Sequence, residues 1–305
     1  MIGGIRFRSA IREIEGIVTP LWSFNQAIGG KIPNRTIMEI SGYEYVGKST
    51  FAEYLGGYVA GKQDLALLAF ETTDPAYLAG NLTRAGFSGT VWTPADIDDK
   101  GKVTDHESMM DEFLDRLEGD ENVRSAIWDS VSAFSPVGET EGSVREAHMG
   151  LKARIDGNFM RRCEGILLRR RQTPANVFIV NHLHPNLGVP GANTSGGKAI
   201  HNHSAIRIRL TLQEGYDDGT MLIEGKVVKL RFRNDAPYRA TFKLVLNHGV
   251  HPGLTAVQDA LDQGLATKSN GVITLKGKSY GRHSLMMETK WKDPELFKPF
   301  LEALK

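Results

Sequence analysis

The stretch Thr36–Thr50, TIMEISGYEYVGKST, decides the fold of this chain. An apolar run that is typical of a buried strand leads into a glycine-rich turn, and a helical pattern continues to about Ala60. In this arrangement, backbone N–H groups and a helix N-terminus surround a phosphate. The pattern predicts that Lys48 binds the β- and γ-phosphates of ATP and that the Ser49 hydroxyl ligates Mg²⁺. The residues assigned to the nucleotide site by this segment are Gly42, Glu44, Gly47, Lys48, Ser49 and Thr50.

Two carboxylates follow the next apolar strands along the chain. Glu71 comes directly after the run Leu65–Phe70, and Asp129 ends a second buried run. Because the carboxyl ends of parallel strands meet at one edge of a sheet, both are expected beside the phosphate loop. Asp129 is predicted to bind Mg²⁺ with Ser49, and Glu71 to orient the water that attacks the γ-phosphate. Glu44, within the loop, is an alternative for this second role.

Apolar strands alternate with helical patterns through the middle of the chain, which predicts an α/β fold whose mostly parallel sheet is covered by helices. After residue 206, three alternating runs indicate antiparallel strands. From about residue 252, a helix, a glycine-punctuated strand region and a terminal helix indicate a smaller unit. The predicted division is an arm over 1–17, a P-loop ATPase core over 18–251 and a small α+β domain over 252–305.

Composition excludes several classes of protein. In 305 residues, 37 Lys and Arg face 36 Asp and Glu, so the chain is not a uniformly basic nucleic-acid coat, although a locally basic surface is compatible with this balance. The single cysteine, Cys163, excludes an internal disulfide and a cysteine-bound structural zinc. The chain lacks the apolar runs of a signal peptide or a membrane span, so a cytoplasmic location is expected.

Positive charge is concentrated between residues 150 and 175, where seven Arg and Lys face two acids. Arg154 and Arg161 lie two helical turns apart on a predicted long helix and therefore share a face. Such a face is expected to bind DNA phosphates in a salt-dependent way. For Arg169–Arg171, the favoured interpretation is a solvated helix end beside the C-terminal dipole.

Further segments resemble the RecA-type homologous recombinases, in the same order along nearly the whole chain. They are FETTDPAYL (70–78), IWDSVSAFSPVGETEGSVREAHMGLKAR (127–154), VNHLHPNLGV (180–189) and TSGGKA (194–199). They are similar to that family's catalytic-glutamate segment, its Walker B strand with the first DNA-binding loop, and its switch strand with the second DNA-binding loop. The resemblance implies a RecA-like ATPase that uses ATP and Mg²⁺, polymerises on single-stranded DNA and promotes pairing and strand exchange with homologous duplex DNA.

The resemblance also assigns roles by position. Glu71 matches the glutamate that activates the hydrolytic water, Tyr77 the tyrosine that stacks on adenine, and Asp74 an acid near the base. Arg231 and Arg233 match two lysines that reach across a subunit interface to the γ-phosphate. This implies a helical filament with ATP between subunits, so that ATP binding stabilises assembly. Without the resemblance, the alternative for Tyr77 is a half-buried aromatic side chain on a helix. For Arg231 and Arg233 it is the solvated face of a strand.

Two loops are implied to bind DNA. Met149 and Leu187 match apolar side chains that insert between base triplets, although a core position is the alternative for each. The two consecutive glycines of the second loop allow phosphates to approach backbone amides closely. The residues assigned to DNA are Met149, Arg154, Arg161, Leu187, Ser195, Gly196, Gly197 and Lys198.

Some positions depart from the bacterial pattern. His182 occupies the place of a glutamine that senses the γ-phosphate; a neutral imidazole can both donate and accept, and its titration would make the coupling pH-dependent. A structural histidine is the alternative. His201 and Asn202 replace a Lys-Phe pair that relays a signal between subunits, so that relay is not expected. Phe7–Ala10 fits an F-x-x-A interface motif, with a frayed arm as the favoured alternative.

Two other functions remain open from the residues. A hexameric helicase-type motor shares the phosphate loop but does not require the HMGLxAR or TSGGK segments. An accessory or mediator protein would bind ATP and single-stranded DNA without exchanging strands, although the intact Lys48, Glu71 and Asp129 argue against a vestigial site. The short arm and the missing acidic tail resemble virus-encoded members. An ssDNA-binding protein and a loader are expected partners, and a membrane is not.

Overall fold

The computed structural model of the protein describes residues 15–71, 73–95, 104–140, 150–185, 192–216, 219–232, 241–246, 249–282 and 294–305. The helices are α1 (Trp22–Ala27), α2 (Lys48–Ala60), α3 (Pro75–Arg84), α4 (His106–Gly119), α5 (Val137–Thr140), α6 (Leu151–Arg169), α7 (Gly197–His203), α8 (Pro252–Asp262) and α9 (Lys298–Ala303), with a 3-10 turn at Pro294–Leu296. The strands are β1 (Gly16–Ile17), β2 (Ile32–Pro33), β3 (Ile37–Gly42), β4 (Asp64–Ala69), β5 (Val91–Trp92), β6 (Val123–Asp129), β7 (Asn176–Pro185), β8 (Ala192–Thr194), β9 (Ile206–Gly215), β10 (Met221–Leu230), β11 (Thr241–Leu246), β12 (Ala266–Ser269), β13 (Val272–Leu275) and β14 (Lys278–Arg282).

The central sheet has the strand order β11-β10-β9-β3-β7-β6-β4-β5, and β8 pairs with β7 beside this path. Neighbours from β9 to β5 run parallel, whereas β10 runs antiparallel to both β9 and β11. The predicted α/β fold with a mostly parallel sheet is therefore confirmed, and the alternating runs after residue 206 form its antiparallel end.

Helices cover both faces of this sheet because its central strands are apolar on both sides. One face packs around Phe24, Phe51 and Tyr54 of α1 and α2, and the other around Phe113 of α4 and Trp128 of β6. All five side chains are fully buried. Within the described residues no helix is long and apolar enough to cross a membrane.

The ends of two helices near the sheet edge are fixed by local chemistry. Gly47 precedes α2 in the left-handed region, with φ of 73°, and an added Cβ would lie 2.2 Å from a methyl carbon of Leu246. Only glycine satisfies both conditions. Asp74 precedes α3, its carboxylate accepts from the N–H of Ala76 at 2.9 Å, and Pro75 occupies the first helical position.

The C-terminal elements share an apolar cluster centred on Leu254, Ile273 and Phe300, and the cluster includes Val245 of β11. Polar contacts also join them to the rest of the chain, since Asp259 accepts from the N–H of Ser23 at 3.1 Å. Strand β12 was not predicted, because its segment is exposed and polar apart from its first residue. The domain boundary near residue 252 stays a prediction.

The interpretation of residues 169–171 as a solvated helix end is wrong for Arg170. This side chain is 7% exposed. Its guanidinium donates to five main-chain carbonyl oxygens, those of Leu117, Asp120, Glu121, Val123 and Thr173. Arg170 therefore supplies charged donors to carbonyls at the end of α4 and in the turn to β6, where the helix itself offers the last carbonyls no partner.

We expect Arg170→Ala to lower the free energy of unfolding by about 3 kcal/mol, because several buried carbonyls lose a charged donor together. Urea unfolding measures this loss. Arg171→Ala is the matched control, since the neighbouring side chain is exposed and should change stability by less than about 0.5 kcal/mol. Equal losses in the two variants would contradict a special role for Arg170.

Candidate active site

The registers of the parallel strands bring the predicted nucleotide residues to one edge of the sheet. Gly42, the last residue of β3, lies beside His182 of β7, and Ala69 of β4 lies beside Asp129 of β6. Glu71 follows β4 by two residues. The phosphate loop and the three polar side chains expected around it therefore meet at the carboxyl ends of four strands.

The phosphate loop closes over its own lysine. The Lys48 ammonium donates to the main-chain carbonyl of Tyr43 at 2.7 Å, and the side chain is buried. Gly42 is required by close packing, because an added Cβ would lie 2.6 Å from Val46 and 2.9 Å from the carbonyl oxygen of Leu210. The loop thus holds its cation at the position where an anion would meet the start of α2.

The Lys48 ammonium interacts electrostatically with three carboxylates. Burial lowers the pKa of Lys48, while the negative charges of Asp129, Glu71 and Glu44 oppose this shift. The predicted acids are therefore close enough to the lysine to share one electrostatic environment. A triphosphate would add further negative charge here, and Lys48 is the cation on which the charges of these three acids act.

Asp129 has the properties of a magnesium ligand. Burial raises its pKa to about 6; a hydrogen bond from Ser49 opposes the rise, Glu71 adds to it and Lys48 opposes it. Its Oδ1 atom is buried and has no hydrogen-bond partner within the described residues. An orphaned carboxylate oxygen beside a hydroxyl fits Mg²⁺, which binds through one or two protein oxygens together with phosphates and water.

Glu71 is held by two groups of the neighbouring strands. Its Oε1 atom accepts from the Ser130 hydroxyl at 2.5 Å and lies 3.5 Å from Nε2 of His182. Burial and the positive charge of Lys48 lower the pKa of His182, although Glu71 raises it, so the imidazole is neutral at pH 7. A neutral ring here can donate one hydrogen bond and accept another.

The two residues assigned to the base lie at the start of α3, where Asp74 caps the helix and Tyr77 is in its first turn. The Tyr77 hydroxyl and Thr50 Oγ1 are 3.1 Å apart, and the Tyr77 side chain is 39% exposed. This contact ties the exposed ring to α2. The Asp74 carboxylate uses one oxygen to cap α3, and among the described residues the other oxygen has no hydrogen-bond partner.

Arg231, assigned to a neighbouring subunit's nucleotide, contacts α6 and α7 in its own chain. Its guanidinium donates to the Glu164 carboxylate at 3.2 Å and to the main-chain carbonyl of Asn202 at 2.5 Å. It therefore lies beside the helix that follows the TSGG segment. The partner residue in the prediction, Arg233, lies outside the described residues.

The second DNA segment begins α7. Gly196 and Gly197 both have positive φ, at 80° and 63°, which favours glycine at each position. Asn181 of β7 fixes Ser195 in both directions, accepting from its N–H at 3.2 Å and donating to its carbonyl at 3.0 Å. Lys198 is exposed in the first turn of α7.

Hydroxyl groups connect this segment to the strand of His182, and the sequence reasoning missed them. Ser132 Oγ lies 3.1 Å from Ser195 Oγ and accepts from the N–H of His182 at 3.4 Å. His184 Nε2 lies 3.0 Å from the same Ser195 Oγ. The only available signal was that His182 and His184, two residues apart on a strand, share a face.

The basic surface on α6 is smaller than the sequence count suggests. Arg154 and Arg161 are exposed, and neither has an ion pair within the described part of the chain. Other cations of the count are engaged by the protein: Arg162 pairs with Asp111 and Asp115, Arg169 pairs with Glu118, and Lys152 donates to the carbonyls of Val131 and Phe134. Fewer of the seven predicted cations are thus available to DNA, but Arg154 and Arg161 are among them.

Met149, Leu187 and Phe7–Ala10 lie outside the described residues.

Arg154 and Arg161 should contribute more than the ion-paired Arg162 to the binding of single-stranded DNA. Arg154→Ala and Arg161→Ala should each reduce the slope of log K against log salt concentration by about 0.7, the change expected for one lost phosphate contact. Arg162→Ala is the matched control on the same helix and should leave the slope unchanged, because its charge is already paired. Fluorescence anisotropy over a salt series measures all three slopes. Equal slopes for Arg161→Ala and Arg162→Ala would contradict the distinction.

Comparison with known proteins adds an independent observation. A sequence model of the RecA N-terminal domain matches residues 99–251, about half of the chain. The chain is 28% identical over 280 residues to the protein RecA of Arthrobacter sp. (strain FB24), and this alignment covers 88% of this chain and 75% of that protein. It is 27% identical over 278 residues to the protein RecA of Thermosynechococcus vestitus, covering 88% and 72%. It is 27% identical over 304 residues to the protein RecA of Chlamydia trachomatis serovar L2, covering 95% and 81%.

Proposed function

Because this chain belongs to the RecA family, we propose that it is a DNA-dependent ATPase that polymerises on single-stranded DNA and promotes homologous pairing and strand exchange. The observation that carries the proposal is the joining of two sites on one sheet edge. Glu71, Lys48 and Asp129, the proposed nucleotide residues, share one electrostatic environment. Hydroxyl and amide contacts connect the TSGG segment to β7, whose His182 lies 3.5 Å from Glu71. Contacts of this kind suit a protein in which DNA binding at one site changes ATP binding or hydrolysis at the other.

In the proposed hydrolysis step, Lys48 leaves the carbonyl of Tyr43 and binds the β- and γ-phosphates. Ser49 and Asp129 hold Mg²⁺, which supplies neutralisation of the developing phosphate charge when it is bound. Glu71 accepts a proton from the attacking water, while Ser130 fixes the orientation of its carboxylate. Tyr77 stacks on the adenine, with Asp74 beside the base.

His182 is proposed to couple the two sites. Its ring faces Glu71, while its main-chain N–H donates to Ser132, which contacts the DNA segment through Ser195. A γ-phosphate that binds the ring would shift β7 and, with it, the hydroxyl contacts to Ser195. By reciprocity, DNA on that segment would favour the catalytic position of the ring.

His182→Ala should bind ATP normally and lose about tenfold of the DNA-stimulated hydrolysis, because the coupling group is removed while the nucleotide ligands stay. The lowered pKa of His182 means that stimulation should be constant near pH 7–8 and should fall when acidification protonates the ring. His182→Gln is the control that keeps a donor and an acceptor without titrating. ATPase rates with and without DNA over a pH series measure both effects, and unchanged stimulation in His182→Ala would remove this role.

The proposed assembly is a helical filament with ATP between subunits, in which Arg231 and Arg233 reach the γ-phosphate of a neighbour. An ssDNA-binding protein and a loader are proposed partners, and the cytoplasm is the proposed location. Electron microscopy with single-stranded DNA and a non-hydrolysable ATP analogue tests the assembly. Continuous helical filaments support the recombinase, closed rings indicate a motor, and isolated particles indicate an accessory protein. A joint-molecule assay with homologous duplex DNA then tests strand exchange.

A further inference from the structure

Glu164 of α6 lies between the side chains of Arg231 and His203. One carboxylate oxygen accepts from the Arg231 guanidinium at 3.2 Å, and the other lies 2.6 Å from Nδ1 of His203. Burial raises the pKa of Glu164, but the hydrogen bonds from His203 and Arg231 outweigh it and lower the pKa below its usual range. Glu164 is therefore ionised at neutral pH and is held by both neighbours.

The same arginine is fixed from a second side. Its other terminal nitrogen donates to the carbonyl of Asn202, in the last turn of α7. Lys229, two residues earlier on β10, donates to the carbonyls of His201 and Asn202 at 2.6 and 3.1 Å. Lys229 of β10 and Arg231, just after this strand, thus satisfy the carbonyl end of α7, where positive charge is favourable.

Arg231 keeps donors for a further ligand. A guanidinium has five N–H groups, and its contacts with the described residues use two of them. The side chain is 44% exposed. A long side chain that is already confined by two partners has less conformational entropy to lose when it meets a phosphate. The contacts therefore orient the guanidinium without consuming it.

We propose that Glu164 is a positioning residue for Arg231 and sets the direction in which the guanidinium reaches a nucleotide bound by an adjacent copy of the chain. This inference rests on the proposed function, specifically on Arg231 acting across the subunit interface. His203 fixes the Glu164 carboxylate in turn. Because both His203 and the acceptor carbonyl belong to α7, the arginine is positioned by the helix that begins at the DNA segment.

Glu164→Gln tests the proposal, since the amide keeps the shape of the side chain and removes its charge. The kcat of DNA-dependent hydrolysis should fall about tenfold, the effect of losing one charge-assisted hydrogen bond at a reacting group. ATP affinity of the protein without DNA should be unchanged, because the chain's own nucleotide site is intact. Glu118→Gln is the matched control, because Glu118 pairs with Arg169, which lies on α6 like Glu164. This variant should hydrolyse ATP at the rate of the wild type.

A double-mutant cycle separates positioning from a structural role. If Glu164 acts through Arg231, the combined Glu164→Gln and Arg231→Ala protein should hydrolyse ATP as slowly as Arg231→Ala alone. Multiplied losses in the double variant would overturn the proposal. So would wild-type activity of Glu164→Gln beside an inactive Arg231→Ala. Full activity of Arg231→Ala would instead overturn the trans role of Arg231 in the proposed function.

His203→Gln provides a second variant that reaches the same carboxylate from its other side. It should lower the same kcat by a smaller factor, because the bond from Arg231 still orients Glu164. Urea unfolding of both variants should match the wild type, since Glu164 and His203 are partly exposed. A loss of kcat that follows a loss of stability in both variants would show a structural contribution and would overturn the positioning role.

Discussion

Lys48→Ala is expected to reduce kcat/KM for ATP hydrolysis by at least about 10³-fold, a larger loss than is expected for Glu71→Gln or Glu164→Gln. The negative charges of Asp129, Glu71 and Glu44 all act on this ammonium. Removing it leaves the γ-phosphate next to Asp129, Glu71 and Glu44 without the compensating charge. ATP affinity should fall as well, because the repulsion acts on the bound ground state.

Two controls define this result. Lys62→Ala removes an exposed lysine just after α2 and should leave hydrolysis unchanged. Lys48→Arg keeps the charge but should recover little activity, because the planar guanidinium does not fit a loop that closes around an ammonium. Steady-state ATPase assays measure the rates, and a fluorescent ATP analogue measures binding. Substantial hydrolysis by Lys48→Ala would contradict the phosphate-loop assignment.

Glu71→Gln is expected to lower kcat by about 10²- to 10³-fold while ATP binding and assembly on DNA persist. The amide fits the contacts with Ser130 and His182 but cannot take the proton of the attacking water. Retention of the nucleotide in a stable filament is therefore the distinctive outcome, and pelleting of protein–DNA complexes with ATP measures it.

Glu44→Gln is the matched control for this assignment. Glu44 lies near the same lysine, but within the described residues its side chain makes no hydrogen bond, whereas Glu71 is held by Ser130. We expect Glu44→Gln to retain most of the activity. Full hydrolysis by Glu71→Gln together with loss in Glu44→Gln would transfer the role of general base to the phosphate loop.

The central sheet and the phosphate loop follow from local sequence rules. Helix α2 has the predicted bounds, because a glycine with positive φ starts it and a glycine follows its last residue. Apolar runs give the strands, and carboxylates after two of them meet at the edge because parallel strands share a direction. The catalytic and DNA-binding roles of these residues stay predictions, although their neighbourhood was predictable.

Contacts that depend on the register of distant strands were not predictable. The charge of Arg170 is visible in the sequence, but the five carbonyls that surround it are not. The same holds for Arg231, whose partner Glu164 lies 67 residues away. Ser132 and His184 carry no motif, and their link to Ser195 depends on how a turn after β6 meets the end of β7.

The far edge of the central sheet has a consequence for solubility. Strand β5 is only Val91–Trp92, and the guanidinium of Arg116 lies 5.6 Å from the Trp92 ring. A long, flat, apolar edge would offer unpaired N–H and C=O groups to any other copy of the chain. A protein that accumulates side by side on DNA is at a high local concentration, so edge-to-edge pairing would compete with ordered assembly. A two-residue edge strand with a cation over its indole leaves little template for such aggregation.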